Sequence, residues 1–133
     1  MSNLNLIPMS SIRQQASDLK VFHHHIYEYK KGIRSLILTT EKSEYRKPIE
    51  NRLKKENIDF AIQNVSDKKI NVFFGAKQCI EVVKTFIHKK LNELSPEQDF
   101  ILGTLLGYDK VQQCERFMNF KKKLETIKKT SSK

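Results

Sequence analysis

The stretch from residue 95 to residue 117 constrains the fold most, because it carries the start signals of two helices. Ser95 can cap a helix with its hydroxyl, and Pro96 suits the first helical position, where no amide donor is needed. Gln98 can reach back to the cap and complete a capping box. The pattern therefore predicts a helix that begins at about Pro96.

A second helix is predicted after a glycine corner. Gly107 is placed to end the first helix in a left-handed conformation. Asp109 and Gln112 then repeat the cap for a helix that runs toward residue 128. Gly103 lies inside the first helix, where glycine costs about 1 kcal/mol relative to alanine. We therefore expect a close approach to this backbone, either by a neighbouring helix at a tight crossing or by a ligand or partner.

Length and composition predict one domain. The 133 residues, 38% of them hydrophobic, are enough to form a core. We predict a poorly ordered or extended segment over residues 1–17, a single domain over residues 18–128 and a basic tail over residues 129–133. The sequence lacks the apolar core of a secretory signal and any membrane-length apolar span, which predicts a cytoplasmic protein. Cys79 and Cys114 are expected to be reduced, buried packing residues.

Apolar spacing predicts the remaining elements. Residues 21–33 carry apolar side chains three and four positions apart, which favours a helix over the alternative of a strand through the histidines. The other predicted elements are a buried strand over residues 35–40, a surface helix over 43–56 with Pro48 in its first turn, a hairpin over 58–65 and 70–74, and a five-turn helix over 76–94.

These elements predict an α+β fold. A strand, a helix and a hairpin most simply form a three-stranded, mainly antiparallel sheet with the first strand against the last, as in a truncated ferredoxin-like β-α-β-β arrangement. About five helices would pack with this sheet. Phe73 and Phe74 point to opposite sides of it, so both faces need cover. The C-terminal helices or a second subunit could cover the second face, which makes a homodimer one prediction.

The net charge of +10 is uneven, because residues 121–133 hold six lysines against Glu125 and so carry +5 of it. This charge suits an acidic protein partner. Non-specific nucleic-acid binding is an alternative, which the scatter of the lysines among acidic residues makes the less favoured one.

No catalytic, cofactor-binding or metal-ligating set is predicted. Three consecutive histidines, residues 23–25, cannot project to one face of a helix or strand. Gly75 lies between a strand and a helix start, as in phosphate cradles, but neither common nucleotide-binding glycine motif is present. The alternative of a small enzyme needs His25 and Glu28 to meet Tyr108, Asp109 or Glu115 in one pocket.

Three blocks resemble a small bacterial family defined as a domain of unknown function, over about residues 20–120. The resemblance implies a compact α+β protein of the bacterial cytoplasm, with no catalytic residues to assign. It also implies gene neighbourhoods that contain flavodoxins, which are acidic redox proteins and would suit a basic partner. The blocks are HHIYEYKKGIR (residues 24–34), NVFFG (71–75) and SPEQDFILGTLLGYDKVQQCER (95–116).

We therefore predict a non-enzymatic binding or accessory protein whose functional surface is formed by the first and third blocks. Polar side chains and glycines beyond those that packing needs favour this prediction. The predicted surface consists of His24, His25, Glu28, Tyr29, Arg34, Gly103, Gly107, Tyr108, Asp109, Gln113, Glu115 and Arg116.

Overall fold

The computed structural model describes residues 9–131. Within these residues, six α-helices and three strands follow one another in the order α-α-β-α-β-β-α-α-α, with short 3-10 turns at Ser43–Tyr45 and Leu91–Glu93. The elements are α1 (Met9–Asp18), α2 (Lys20–Lys30), β1 (Leu36–Lys42), α3 (Arg46–Lys55), β2 (Asp59–Asn64), β3 (Lys69–Gly75), α4 (Lys77–Lys84), α5 (Pro96–Leu105) and α6 (Lys110–Ser131).

The sheet is antiparallel, with the strand order β1-β3-β2. β3 is therefore the central strand, and Gly75 at its end lies opposite both Leu36 of β1 and Asp59 of β2. This arrangement confirms the predicted α+β fold and the pairing of the first strand with the last.

Helices cover both faces of the sheet. α2 and α3 pack on one face, where Phe22, Ile49 and Phe74 are fully buried. α4 and α5 pack on the other face, where Phe73, Val83 and Leu102 share a second apolar cluster. The chain's own helices thus bury the second face, and a homodimer, which this face does not require, stays a prediction.

A row of polar side chains crosses the second face. The Thr40 hydroxyl donates to Asn71 Oδ1 (2.6 Å), and the Asn71 amide donates to Gln63 Oε1 (3.0 Å). The Gln63 amide in turn donates to the carbonyl oxygens of Ile87 (2.8 Å) and Lys89 (2.6 Å). The sheet therefore holds the segment after α4 by its backbone carbonyls.

This contact explains why the predicted five-turn helix over residues 76–94 is wrong. α4 ends at Lys84, and Phe86 and Leu94 are buried from the irregular segment that follows. The Gln63 side-chain amide satisfies the Ile87 and Lys89 carbonyls outside a helix, so this segment can leave the helical path without losing partners for those acceptors. The apolar spacing continues past Lys84 because the segment still packs on the sheet.

Both predicted chain ends differ from the structure. Residues 9–17 belong to α1 rather than to an extended segment, and residues 1–8 lie outside the described residues. α1 has no buried residue, but Asp18 at its end accepts hydrogen bonds from Tyr45 (2.6 Å) and Lys42 (3.1 Å). At the other end α6 extends to Ser131, so the predicted tail over 129–133 is helical as far as it is described.

Candidate functional site

Helix α2 ends in a Schellman motif. The Gly32 amide donates to the Tyr29 carbonyl (2.9 Å), and the Ile33 amide donates to the Glu28 carbonyl (3.1 Å). Gly32 has φ +79°, a conformation that glycine adopts without a steric cost. The helix end predicted at residues 30–32 is confirmed, whereas Ile33 lies beyond the helix whose apolar stripe it was expected to extend.

Helix α5 ends in the same motif. The Gly107 amide donates to the Thr104 carbonyl (3.0 Å), and the Tyr108 amide donates to the Gly103 carbonyl (3.1 Å). Gly107 has φ +86°, which confirms its predicted left-handed role. Tyr108 therefore holds the position in this motif that Ile33 holds at the end of α2.

The residue directly after the left-handed residue of a Schellman motif usually packs back on its own helix. α3 follows that rule: it ends in the same motif, with Asn57 at φ +57°, and its equivalent residue Ile58 is only 6% exposed. Ile33 and Tyr108 are instead 64% and 56% exposed. Two large side chains are thus left in solvent by a motif that buries the third.

Ile33 and Tyr108 line one cleft of about 510 Å³. Arg34 and Ser35 continue its first wall and lead into β1, and the C-terminal turn of α5 forms the opposite wall. The full lining is Ile33, Arg34, Ser35, Leu38, Thr104, Leu105, Leu106, Gly107 and Tyr108. The cleft therefore joins the first and third sequence blocks.

A second cleft of about 460 Å³ adjoins the first, because Leu38, Leu106 and Tyr108 line both. Gly103, Gln113 and Arg116 line this second cleft. The Arg116 guanidinium donates two hydrogen bonds to the Asp99 carboxylate, at 2.7 and 2.9 Å. This bidentate pair raises the pKa of Arg116 and joins α6 to α5.

Arg34 is the cation of the first cleft. Its Nε atom lies 4.0 Å from Glu28 Oε2, and its side chain is 42% exposed. Glu28 also accepts a hydrogen bond from His25 Nδ1 at 2.8 Å, and this bond, followed by the charge of Arg34, lowers the pKa of Glu28. The carboxylate therefore stays ionised beside Arg34.

A family model described as "Protein of unknown function (DUF2023)" matches residues 20–120 of the chain. The chain belongs to this family. Its matched region contains the three Schellman motifs and every residue that lines the two clefts. No curated protein matches the chain.

The DUF2023 structure brings together only part of the predicted functional surface. Arg34, Gly103, Gly107, Tyr108, Gln113 and Arg116 line the clefts. The other predicted residues lie elsewhere. His25 and Glu28 pair on α2, His24 is exposed beside Tyr27, Tyr29 packs on the core, Asp109 caps α6 and Glu115 is exposed on α6.

The acid-base cluster considered for an enzyme does not assemble. His25 and Glu28 line neither cleft, while the Asp109 carboxylate accepts from the Gln112 amide (3.0 Å) at the start of α6. Among the described residues, no group of three or more histidine, cysteine, aspartate or glutamate side chains could hold a metal ion. Likewise, no helix within residues 9–131 is both long and apolar enough to cross a membrane.

The two unusual glycines of the DUF2023 fold serve packing. A Cβ on Gly103 would lie 2.1 Å from Gln113 Oε1, so the close approach predicted there is made by α6. A Cβ on Gly75 would lie 2.2 Å from the Ser35 carbonyl oxygen, so this glycine admits the neighbouring strand. Both glycines are thereby explained without a ligand.

Sequence reasoning missed Ser35 and Leu38 as cleft residues, and it placed Ile33 on a helix face. The sequence did contain a signal for Ile33. A large apolar residue directly after a helix-ending glycine is typical of the Schellman motif, where it follows the left-handed residue. Its exposure depends on the fold and carries no sequence signal. Cys114 was also misplaced: it is exposed, whereas Cys79 packs against the second cluster.

Proposed function

We propose that this DUF2023 protein is a non-enzymatic binding protein of the bacterial cytoplasm, which holds an acidic protein partner over the cleft between Ile33 and Tyr108. One observation carries the proposal: two large side chains from different sequence blocks are exposed on either side of one cleft, which Arg34 also lines. Packing does not account for their exposure, since the equivalent Ile58 is buried.

The composition of this surface supports protein binding. Energetically important interface residues are enriched in tyrosine and arginine, and they cluster around pockets that exclude water. Tyr108 and Arg34 match this pattern, and Ile33 supplies apolar area beside them. Lys31 and Lys110, two positions from Ile33 and Tyr108 in the sequence, are exposed and add to the positive charge of these segments.

The titratable groups support binding over catalysis. General acid-base catalysis needs groups with adjusted pKa values within hydrogen-bonding reach of a substrate. The ionised Glu28 is occupied by His25 and lies outside the lining of both clefts. Arg34 is therefore the charged group of the first cleft, and a fixed cation recognises an anion rather than moving a proton.

A flavodoxin is the partner class to test first. The net charge of +10 would steer association with an acidic protein. Flavodoxins are acidic, and the sequence resemblance implies gene neighbourhoods that contain them. A contact of this kind should weaken with salt, because exposed charges are screened beyond about 10 Å at 0.1 M ionic strength.

Calorimetric titration of the full chain with a purified FMN-loaded flavodoxin tests the proposal. Arg34→Glu should weaken binding by about tenfold or more, the equivalent of about 1.4 kcal/mol. Lys47→Glu is the matched control, because Lys47 is exposed in the first turn of α3, beyond the opposite end of β1, and the variant has the same net charge. It should change the affinity by less than about threefold.

Equal losses in the two variants would mean that net charge rather than the cleft governs binding, and would contradict the proposed site. Failure to bind at low ionic strength would contradict the choice of flavodoxin. If a nucleic acid binds instead and Arg34→Glu has no effect on it, the nucleic-acid alternative replaces the proposal. Thermal melting of each variant separates lost binding from lost folding.

A further inference from the structure

The C-terminal half of α6 extends past the helix on which its first half packs. α6 has 22 residues and α5 has 10, which correspond to lengths of about 33 and 15 Å. The helices run antiparallel, and Glu97 at the start of α5 contacts Lys121. Residues 122–130 therefore lie beyond the end of α5, and every one of them is exposed.

An apolar stripe nevertheless continues along α6. Phe117, Phe120, Leu124 and Ile127 are spaced three, four and three positions apart, which is the a/d spacing of a helix that pairs with another helix. We call these four residues the α6 seam. Phe117 and Phe120 are partly buried, whereas Leu124 is 36% and Ile127 62% exposed. The seam is thus covered at one end and open at the other.

α5 provides the apolar and acidic side chains that contact the covered end of the α6 seam. Phe100 of α5 packs edge-on against Phe117, with ring centroids 5.6 Å apart. On either side of this contact, α5 offers a carboxylate to a basic residue of α6: Asp99 to Arg116 and Glu97 to Lys121. An apolar side chain between two carboxylates is therefore the complement of the α6 seam within this chain.

The open end repeats the same pattern of charge. Lys123 and Lys128 flank Leu124 and Ile127. They lie one heptad after Arg116 and Lys121, at the equivalent positions of the repeat. Residues at these flanking positions set the choice of partner in helix pairs, because like charges across the seam repel. The open end therefore presents the same apolar and basic pattern that α5 meets with carboxylates at the covered end.

A second copy of this chain does not fit. Pairing α6 with itself in a parallel orientation places Lys123 opposite Lys128, and an antiparallel orientation places each lysine opposite its own copy. Both arrangements bring like charges together at the seam. We propose that the open end of the α6 seam binds an acidic amphipathic helix, with apolar side chains on Leu124 and Ile127 and carboxylates beside Lys123 and Lys128.

This surface is separate from the cleft at Tyr108, and its test uses a synthetic probe. The probe is a labelled helical peptide of repeated heptads with leucine at a and d and glutamate at e and g. A peptide with lysine at e and g is the comparison. Fluorescence anisotropy with the full chain should show the glutamate peptide binding at least about tenfold more tightly than the lysine peptide.

Two variants add the same charge at different places on α6. Leu124→Asp puts a carboxylate on the seam and should weaken binding of the glutamate peptide by about tenfold or more. Thr126→Asp puts it on the opposite face, where Thr126 is exposed, and should change the affinity by less than about threefold. Both positions are exposed, so circular dichroism should report an unchanged fold. Arg34→Glu should leave peptide binding unaltered.

Several results would overturn the proposal. One is that the chain binds the glutamate peptide no more tightly than the lysine peptide. Another is that Leu124→Asp and Thr126→Asp lose the same amount of affinity for the glutamate peptide. A dimer in sedimentation that Leu124→Asp dissociates would make the occupant a second copy. Binding to phosphatidylserine vesicles that Leu124→Asp abolishes, with no binding of the peptide, would make it a lipid surface.

Discussion

Ile33 and Tyr108 hold the same position in two Schellman motifs, and their side chains line the same cleft. The motif fixes the backbone, so each residue leaves its helix at a defined angle. In α3 the equivalent Ile58 enters the core. Two helix ends of this fold thus present large side chains to a shared surface, on which the proposed binding function rests.

Replacing Gly103 with alanine should destabilise the protein, although alanine has the better helix propensity. In a helix interior, alanine is more favourable than glycine by about 1 kcal/mol. Its Cβ would, however, lie 2.1 Å from Oε1 and 2.5 Å from Cδ of Gln113, which is only 7% exposed. Gly103→Ala should therefore lose about 1–3 kcal/mol of unfolding free energy, measured by urea denaturation.

A double-mutant cycle isolates this contact. Gln113→Ala alone leaves a void, but in the Gly103→Ala background it removes the clash. The double variant should be more stable than the sum of the two single losses implies, by about 1 kcal/mol or more. Strictly additive losses would show that Gln113 moves aside freely.

The capping box of α5 should contribute to stability. The backbone amide of Gln98 donates to the Ser95 hydroxyl (3.1 Å), and the backbone amide of Ser95 donates to Gln98 Oε1 (3.0 Å). Ser95→Ala should cost about 1 kcal/mol in thermal or urea unfolding. Ser95→Asp retains a capping acceptor and should recover most of this loss; equal losses in the two variants would argue against capping as the cause.

Tyr45 should ionise at unusually high pH. Its hydrogen bond to Asp18 is the main cause that raises the pKa of Tyr45 to about 12 from an ordinary 10.0. Because the folded-state pKa is raised, the resulting stability is present below pH 10 and is lost as the pH rises toward 12. In an absorbance titration, Asp18→Asn should lower this pKa markedly and Glu44→Gln only slightly. The reverse order would contradict the assigned cause.

Glu28 should make stability depend on pH in the acid range. Its hydrogen bond with His25 lowers its pKa below the ordinary 4.5. The contribution to stability is therefore complete above pH 4.5 and is lost as the pH falls through the lower, folded-state pKa. The stability difference between the native chain and Glu28→Gln should shrink on acidification. A difference that stays constant on acidification would contradict this cause.

Local signals made much of the fold predictable. The capping residues Ser95 and Asp109 mark the starts of α5 and α6 because they act through hydrogen bonds within three residues of the chain. Gly32 and Gly107 mark helix ends for the same local reason. The strand order followed from the hairpin and the crossover, which leave few arrangements of three strands.

Long-range contacts account for the errors. The irregular segment after α4 is held by Gln63, whose side-chain amide donates to two backbone carbonyls more than twenty positions away. The helical form of residues 9–18 is accompanied by contacts of Asp18 with Tyr45 and Lys42. Neither contact leaves a periodic pattern in its own segment, so spacing alone could not reveal it.

The candidate site was predictable as two blocks but not as a surface. Arg34 and Tyr108 were both selected from polar detail, and both line the first cleft. His25 and Glu28 were selected for the same reason but pair with each other on α2. Only the packing of α5 beside β1 decides which members of each block meet.

Amide chemical-shift mapping of the isotope-labelled full chain during titration with an FMN-loaded flavodoxin tests the proposed function most directly. The largest changes should fall on residues 33–35 and 104–108, on both walls of the cleft, and they should be lost in Arg34→Glu but kept in Lys47→Glu. Changes confined to α3, or scattered over the lysines of all elements, would contradict a shared binding surface at Ile33 and Tyr108.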